Sequence, residues 1–341
     1  MNAISSCGIL PLYERPGDFV RGRADEVLYG TRVLILRDGA ESTGDNTEDT
    51  EDVAEPAGIG AERPGNGAEP AGNGAERPGN GAERTGNGAE RPGDGAERTG
   101  NESGWVKVRT SYRYEGWVRK SGLQYDSACQ KASSTLHKCL VTSCFCDVLA
   151  APRVAAELFL SVPCGSVLRT SYPLEKKFRQ TADSPQWVKV ILADGREGYT
   201  AASHLGPVPE ATGNEEKFRE EVVRAAKTFL GVPYRWGGRT HLGIDCSGLA
   251  FMSYFLNGVS IYRDAQIKPG FPIHEIPREN VKAGDLYFFP GHVAVALGGG
   301  DFIHSTGRAG DDGVVFGSLA PDHGFYRADL AATLTACGSI F

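Results

Sequence analysis

The sequence predicts two small all-β units followed by a C-terminal α+β domain, with a disordered repeat inserted in the first unit. Three observations support this prediction. Short segments of alternating polar and apolar residues lie on both sides of a Gly- and Pro-rich repeat, and again between residues 139 and 208. The repeat units have no large apolar residue from which to build a core. After Pro207, helical spacing followed by a run of strands is typical of an α+β domain.

Chain length and composition favour a soluble protein of several domains. With 341 residues, the chain exceeds what a single core usually organises. It has 43 acidic and 36 basic residues, and the basic ones are scattered, so we expect no nucleic-acid partner. No stretch reaches the roughly 18 apolar residues of a membrane helix, so no membrane partner is expected. The first residues lack a signal-peptide pattern, so we expect a cytoplasmic protein. Secretion by a non-classical route is the less favoured alternative.

The cysteines and histidines predict free thiols and no cofactor. Eight cysteines in a chain without an export signal favour a reducing compartment over a disulfide framework. Cys139, Cys144 and Cys146 lie close together but lack the paired spacing of zinc ligands, so we interpret them as buried apolar residues. The seven histidines show no HExxH or comparable spacing, and neither a metal nor an organic cofactor is expected.

The first predicted domain spans residues 1–128 and contains a seven-residue repeat over residues 54–102. Units such as AERPGNG (61–67) carry two glycines and no large apolar residue, which excludes a coiled coil. We interpret residues 40–102 as a disordered insertion, because such a tract cannot bury enough surface to offset its ordering entropy. The flanking segments VLILRD and GWVKVRT are predicted to pair as neighbouring strands, since loop-closure entropy rises only slowly with length.

The second predicted domain spans residues 139–208 and repeats the pattern of the first. WVKV and GWV in the first unit correspond to WVKV and GYT in the second, where a DG turn separates two strands. This internal repetition resembles a pair of bacterial SH3-like barrels, modules that often precede cell-wall hydrolases. We therefore expect two SH3-like barrels, the first interrupted by the disordered repeat.

The third predicted domain spans residues 213–341. Its first helix has apolar residues at helical spacing, Thr212 as N-cap with Glu215 completing a capping box, and Gly231 as the stop. A second helix, 247–256, is apolar almost all round and is expected to be buried. Four strands are predicted beyond it, at residues 285–289, 292–297, 301–306 and 314–319.

Cys246 is the candidate nucleophile. It lies in YRWGGRTHLGIDCSGL, between a glycine-containing loop and the first turn of the buried helix. The helix dipole, the free N–H groups of the first turn and a neighbouring imidazolium would lower the pKa of such a thiol. The same N–H groups suit an oxyanion. An arbitrary cysteine is more often a buried small residue, so the surrounding residues decide between the two interpretations.

His292 and His304 are the candidate base and its orienting partner. His292 opens the strand HVAVAL, and His304 lies in the next strand, across the turn GGGD. One imidazole takes the thiol proton, and a second polar group holds its tautomer. We predict a turn with an odd number of residues, which places both side chains on the same sheet face. Either histidine alone would be explained more simply as a structural residue. Together with Cys246, however, the two histidines are better explained as members of a catalytic triad.

The segments PYRWGG, DCSGL and GDLYFFPGHVAVALGGGDFIHS, in this order, resemble the NlpC-type family of papain-like cysteine peptidases of bacterial cell-wall peptides. The resemblance covers about residues 213–341 and implies an α+β papain-like domain in which Cys246 is the nucleophile, His292 the base and His304 the third residue. It also implies that Tyr234 is a hydroxyl donor near the oxyanion. The residues that it places at the substrate are Tyr234, Trp236, Asp245, Ser247 and Asp264, the last facing a free amine.

Each substrate-binding assignment has a simpler alternative. Tyr234 has the alternative role of an interfacial aromatic residue. Asp245 and Ser247 flank the start of a helix and are suited to capping it. Asp264 is equally well explained as a solvated surface acid.

The resemblance implies hydrolysis of the bond between D-γ-glutamate and an L-diamino acid, diaminopimelate or lysine, in murein stem peptides. Two SH3-like units ahead of the catalytic domain resemble a subgroup that acts on free peptides beginning with L-Ala, in which the first barrel narrows the cleft. We expect a monomeric endopeptidase of murein-peptide recycling, with L-Ala-γ-D-Glu-diamino acid as its substrate. Three alternatives stay open: a hydrolase of intact peptidoglycan, a papain-like amidase or acyltransferase, and a wall-binding module with an inactive domain.

Overall fold

The computed structural model describes residues 1–19, 22–39, 104–125, 136–174 and 186–341. The repeat and Cys129 lie outside these ranges, so the predicted disorder of the insertion stays a prediction. No helix in the described ranges has the length and apolar character needed to span a membrane.

The first β unit is an antiparallel seven-stranded sheet with the order β3-β2-β6-β5-β4-β1-β7. The predicted pairing across the insertion is confirmed, because β4 pairs with β5 from Val33 opposite Thr110 to Asp38 opposite Val106. Alternate residues of these strands, such as Val106 and Val108, are fully buried in the core of the unit. The strands are β1 Asn2–Ser5, β2 Ile9–Tyr13, β3 Arg23–Leu28, β4 Arg32–Asp38, β5 Trp105–Thr110, β6 Glu115–Arg119 and β7 Leu123–Tyr125.

The second β unit repeats the first strand for strand. Its order, β10-β9-β13-β12-β11-β8-β14, is that of the first unit with every strand shifted by seven, which explains the internal repetition seen in the sequence. In neither sheet are the two end strands paired within the described residues, so a closed barrel is not part of what the structure shows. The strands are β8 His137–Val141, β9 Phe145–Leu149, β10 Leu158–Pro163, β11 Val167–Thr170, β12 Trp187–Ile191, β13 Glu197–Ala201 and β14 Leu205–Pro207.

The C-terminal domain is α+β, with a six-stranded antiparallel sheet of order β17-β22-β18-β19-β20-β21 and a two-stranded ribbon, β15-β16. The four strands predicted from the sequence are present, to within one residue at each end. The elements are α1 Glu215–Lys227, β15 Arg239–Thr240, β16 Gly243–Ile244, α2 Cys246–Phe255, β17 His274–Ile276, β18 Leu286–Phe289, β19 His292–Gly298, β20 Asp301–Thr306, β21 Gly313–Ser318, α3 Ala328–Thr333 and β22 Ala336–Ser339.

The predicted capping box of the first helix is wrong. Asn214 is the N-cap, and its side-chain oxygen accepts a hydrogen bond of 3.0 Å from the backbone N–H of Lys217. Thr212 instead accepts a 3.3 Å bond from the N–H of Asn214, and the Glu215 carboxylate binds Arg219 at 2.9 Å. Asn and Thr are both good caps, and the chain enters the helix two residues later than the sequence pattern suggested.

The second helix, α2, lies at the centre of the molecule. All but two of its ten residues are buried, as its apolar composition predicted. Phe251 and Met252 pack with strands β18 to β20 of the adjacent sheet, and the same core cluster includes Leu28 and Tyr112 of the first β unit. The first unit and the C-terminal domain therefore share one hydrophobic core, and Cys246, the first residue of the helix, lies close to their junction.

Candidate active site

The start of α2 is fixed by Asp245, its N-cap. The Asp245 carboxylate accepts hydrogen bonds from the backbone N–H of Gly248 at 2.5 Å and of Gly237 at 2.7 Å. Gly237 has a φ of +68°, a conformation that favours glycine. A Cβ on Gly248 would lie 2.3 Å from the carbonyl oxygen of Gly238. The motifs WGG and DCSG thus fold as one tightly packed loop and helix start, which presents Cys246. The capping alternative for Asp245 is confirmed.

The thiol of Cys246 is buried and neutral. Burial is the main cause that raises its pKa to about 12, and the negative charge of Asp245 contributes to this rise. Hydrogen bonds from the backbone N–H groups of Val293 and Ser247 act in the opposite direction, with the positive charge of Arg263. Burial outweighs these effects, so the expectation of a lowered pKa is wrong. Val293, whose N–H contacts the sulfur, directly follows His292 in the chain.

His292 and His304 lie on the same sheet face, and their rings are hydrogen-bonded. The distance from His292 Nε2 to His304 Nδ1 is 2.8 Å. The predicted face is right, but the turn differs from the prediction: Gly298 pairs with Asp301, which leaves a two-residue turn. The register shifts between Ala296 and Gly298, and this bulge supplies the odd residue that returns both histidines to the same face.

Both imidazoles are neutral near physiological pH. Burial lowers the pKa of His292 to about 4 and that of His304 to about 3, and the positive charge of Arg327 contributes in both cases. Nη1 of Arg327 lies 3.4 Å from Nε2 of His304, longer than an ordinary hydrogen bond, so Arg327 acts mainly through its charge. Because Nε2 of His292 is engaged with His304, Nδ1 is the nitrogen left to accept a proton from a thiol.

A cleft of about 360 Å³ opens beside Cys246. All five residues predicted to contact substrate line this cleft together with Cys246. Tyr234 is half-buried, and its pKa is raised by burial and by the neighbouring Cys246 and Asp245. Trp236 is exposed over 63% of its surface, so it is available to a ligand.

The first β unit contributes to the wall of this cleft. Glu14, Ala24 and Tyr114 belong to that unit and line the cleft with the catalytic-domain residues. The hydroxyl of Tyr114 donates a 2.9 Å hydrogen bond to Oδ1 of Asp264. Asp264 is therefore held at the junction of the two units, and the interpretation of it as a solvated surface acid is wrong.

Arg263 is a residue at this site that the sequence analysis missed. It is 1% exposed and binds carboxylates of both units: Nε donates to Asp25 of the first β unit at 2.7 Å, and Nη1 donates to Asp245 at 3.1 Å. Nη1 also donates to the Ser247 hydroxyl at 2.8 Å. The residues on both sides of Cys246 are thus connected through Arg263 to a carboxylate more than 200 positions earlier in the chain.

More buried polar contacts surround this ion pair. The Tyr112 hydroxyl donates to the second oxygen of Asp25. Glu26 accepts a 3.1 Å bond from the backbone N–H of Arg239, and its pKa is raised by burial. No sequence motif marks these residues, because their partners are distant in the chain.

Comparison with known proteins identifies the family. The profile of the NlpC/P60 family matches residues 231–319. Over 241 residues the chain is 42% identical to "Dipeptidyl-peptidase 6" of Lysinibacillus sphaericus, a match that covers 70% of this chain and 86% of that protein. The chain belongs to the NlpC/P60 family.

Two further relatives match the chain over very different lengths. "Gamma-D-glutamyl-L-lysine dipeptidyl-peptidase" of Bacillus subtilis (strain 168) is 37% identical over 125 residues, 33% of this chain and 40% of that protein. A crystal structure of an NlpC/P60 family protein from Bacillus cereus ATCC 10987 matches with a TM-score of 0.62 over 99% of this chain and 98% of that chain. At 17% identity this likeness shows the fold alone. NlpC/P60 relatives are cysteine peptidases, and the chain is accordingly a cell-wall peptidase.

Proposed function

We propose that this chain is a cysteine endopeptidase that hydrolyses the γ-D-glutamyl–L-diamino acid bond of free murein peptides with an N-terminal L-Ala. The observation that carries the proposal is the hydrogen bond between Tyr114 and Asp264 at the edge of the cleft. It joins the first β unit to the catalytic domain where a substrate's amino end would lie. The name of the B. subtilis relative supports the bond specificity.

The chemistry starts from a neutral thiol and a neutral imidazole. Cys246 attacks the γ-carbonyl carbon while Nδ1 of His292 takes the thiol proton, so that charge develops only as the C–S bond forms. The oxyanion accepts hydrogen bonds from backbone N–H groups at the start of α2 and from Tyr234. Protonated His292, stabilised through His304, then delivers the proton to the leaving amine. Water releases the acyl-enzyme by the reverse sequence.

Carboxylates at the cleft suit recognition of a free amine. Asp264 and Glu14 line the cleft from the two units, and an ammonium group between them would gain charge-assisted hydrogen bonds. Tyr114 orients Asp264 from the first unit, and Glu14, Ala24 and Tyr114 of that unit form one wall of the cleft, which in this proposal leaves no room for a longer chain. A peptide still joined to glycan would have neither the positive charge nor the space.

We propose that the two β units are SH3-like modules, supported by their identical strand order, that the domains follow the limits 1–128, 139–208 and 213–341, and that the protein is a cytoplasmic monomer. Sedimentation equilibrium would test the monomeric state, and fractionation of cells producing the full chain would test the location.

The decisive experiment compares L-Ala-γ-D-Glu-meso-diaminopimelate with its N-acetylated copy, following release of the diamino acid by mass spectrometry. We expect cleavage of the free-amine peptide alone and none by Cys246→Ala. Tyr114→Phe should raise KM for the free peptide more than it lowers kcat, whereas Tyr172→Phe, an exposed tyrosine of the second unit, is the matched control.

The other outcomes separate the alternatives. Equal cleavage of both peptides would keep the peptidase and remove amine recognition. Activity on intact sacculi would favour a wall hydrolase. If neither peptide is cut by a folded protein, the proposed substrate is wrong, and an amidase or acyltransferase becomes the better assignment.

A further inference from the structure

A second cavity lies where the two β units and the C-terminal domain meet. Its volume is about 340 Å³, within the lower range of small-molecule pockets. None of the residues that line it also lines the cleft at Cys246. Arg32 comes from the first unit, Lys138 from the second and Arg239 from the C-terminal domain. The cavity therefore belongs to no single unit.

The lining of this cavity is basic. Arg32, Lys138, Arg169 and Arg239 contribute to it, and no Asp or Glu of the described residues does. Lys138 and Arg169 lie directly opposite each other on paired strands, an arrangement that is destabilising for like charges. The pKa of Lys138 is lowered by burial and by the charges of Arg32 and Arg169. Arg169 has a further interaction, so the proposed anion site consists of Arg32, Lys138 and Arg239.

Arg239 is the deepest of these basic groups. It is 1% exposed, and its Nε and Nη1 atoms have no hydrogen-bond partner among the described residues. Asp25 lies 3.8 Å from Nη1, beyond hydrogen-bond distance. The guanidinium instead packs over the rings of Tyr112 and Phe251, at 4.9 and 5.0 Å. Buried donors without hydrogen-bond partners are rare and costly, so Nε and Nη1 keep a hydrogen-bonding capacity that the ion pair with Asp25 leaves unused.

We propose that this basic cavity binds a small molecule through a phosphate or carboxylate group. The exposed Lys138 and Arg32 contact the anion at the mouth of the cavity, and the buried Arg239 supplies a fixed positive charge behind them. The bound anion relieves the repulsion between groups contributed by all three parts of the chain. Binding consequently stabilises the full-length protein.

Calorimetric titration of the full chain with inorganic phosphate, and separately with citrate, tests the proposal at constant ionic strength. We expect binding, a rise in Tm, and about tenfold weaker affinity for Lys138→Gln, the loss expected for one charged hydrogen bond. Arg32→Gln should act in the same direction. Both side chains are exposed, so neither change threatens folding. Arg153→Gln, an exposed basic residue of the second unit outside the cavity, should bind like the wild type.

The two arms identify the group that is recognised. Tighter binding of phosphate assigns a phosphate ligand, and tighter binding of citrate assigns a carboxylate. The absence of binding in both arms, or equal weakening by Arg153→Gln and Lys138→Gln, would overturn the proposal.

Discussion

Asp25→Asn tests whether the first β unit positions the nucleophile. Asp25 is completely buried and accepts a 2.7 Å hydrogen bond from Arg263, which in turn binds Asp245, the N-cap of the catalytic helix. Removing one partner of a buried ion pair costs about 3–5 kcal/mol. Since Asn keeps the shape and one acceptor oxygen, we expect a loss near the lower end, about 3 kcal/mol in the free energy of unfolding.

The same change should lower activity. Arg263 without Asp25 is pulled toward Asp245 alone, which shifts the loop that presents Cys246. Displacements of about 1 Å cost up to roughly 100-fold in rate, so we expect kcat/KM to fall 10- to 100-fold, mostly in kcat. Urea unfolding measures stability, and kinetics on the free-amine peptide, well below the unfolding temperature, measure activity. Asp194→Asn, which removes an exposed ion pair with Arg196, should change stability by less than about 1 kcal/mol.

Two results would refute this reasoning. A stability loss no larger than that of Asp194→Asn would mean that the buried pair contributes little. A large stability loss with unchanged kcat and KM in the folded variant would mean that Asp25 supports the fold without positioning Cys246.

Two further predictions concern protonation. Protonation of His292 removes the base, so kcat/KM should fall as pH drops through about 4. Arg327→Met removes a positive charge that lowers the pKa of His292, so the acid limb of the pH profile should move to higher pH. The exposed control Arg224→Met should leave this acid limb unchanged. An unmoved limb would remove Arg327 from this role. Cys139 and Cys146 are buried as expected, but Cys144 is exposed, so its interpretation as a buried residue is wrong. Because burial raises the pKa of Cys246, iodoacetamide should label Cys246 more slowly than Cys144 near neutral pH. Faster labelling of Cys246 would indicate a resting ion pair.

The positions of the candidate catalytic residues could be predicted because local patterns mark them. The strand and helix periodicities place Cys246 at a helix start and His292 and His304 on adjacent strands, and the structure has them there. The strand pairing across the repeat was predictable for the same reason. Short elements such as β15 and β17, with two and three residues, escaped prediction because they contain too few residues to show a period.

The environment of these residues was less predictable. A helix terminus can be recognised in the sequence, and it suggested a lowered pKa for Cys246. Burial raises this pKa instead, and burial depends on the packing of segments that are distant in the chain. Arg263 escaped notice because Asp25 is 238 positions away. We predicted a turn with an odd number of residues because it would place both histidines on the same sheet face. The chain instead has a two-residue turn, and a bulge before Gly298 places them there.

The turn between β5 and β6 brings the first β unit to the candidate active site. Tyr112 donates to Asp25, and its ring packs 4.9 Å from that of Phe251. Arg113 has a φ of +64°, which is unfavourable for a residue other than glycine, and it binds the carbonyl oxygen of Gly270 at 2.6 Å. Tyr114 contacts the acid in the cleft. Successive residues of one turn thus contact the support of Cys246 and the wall of the cleft, and removing the first unit would remove both contacts. We therefore expect the C-terminal domain alone to be less active than the full chain.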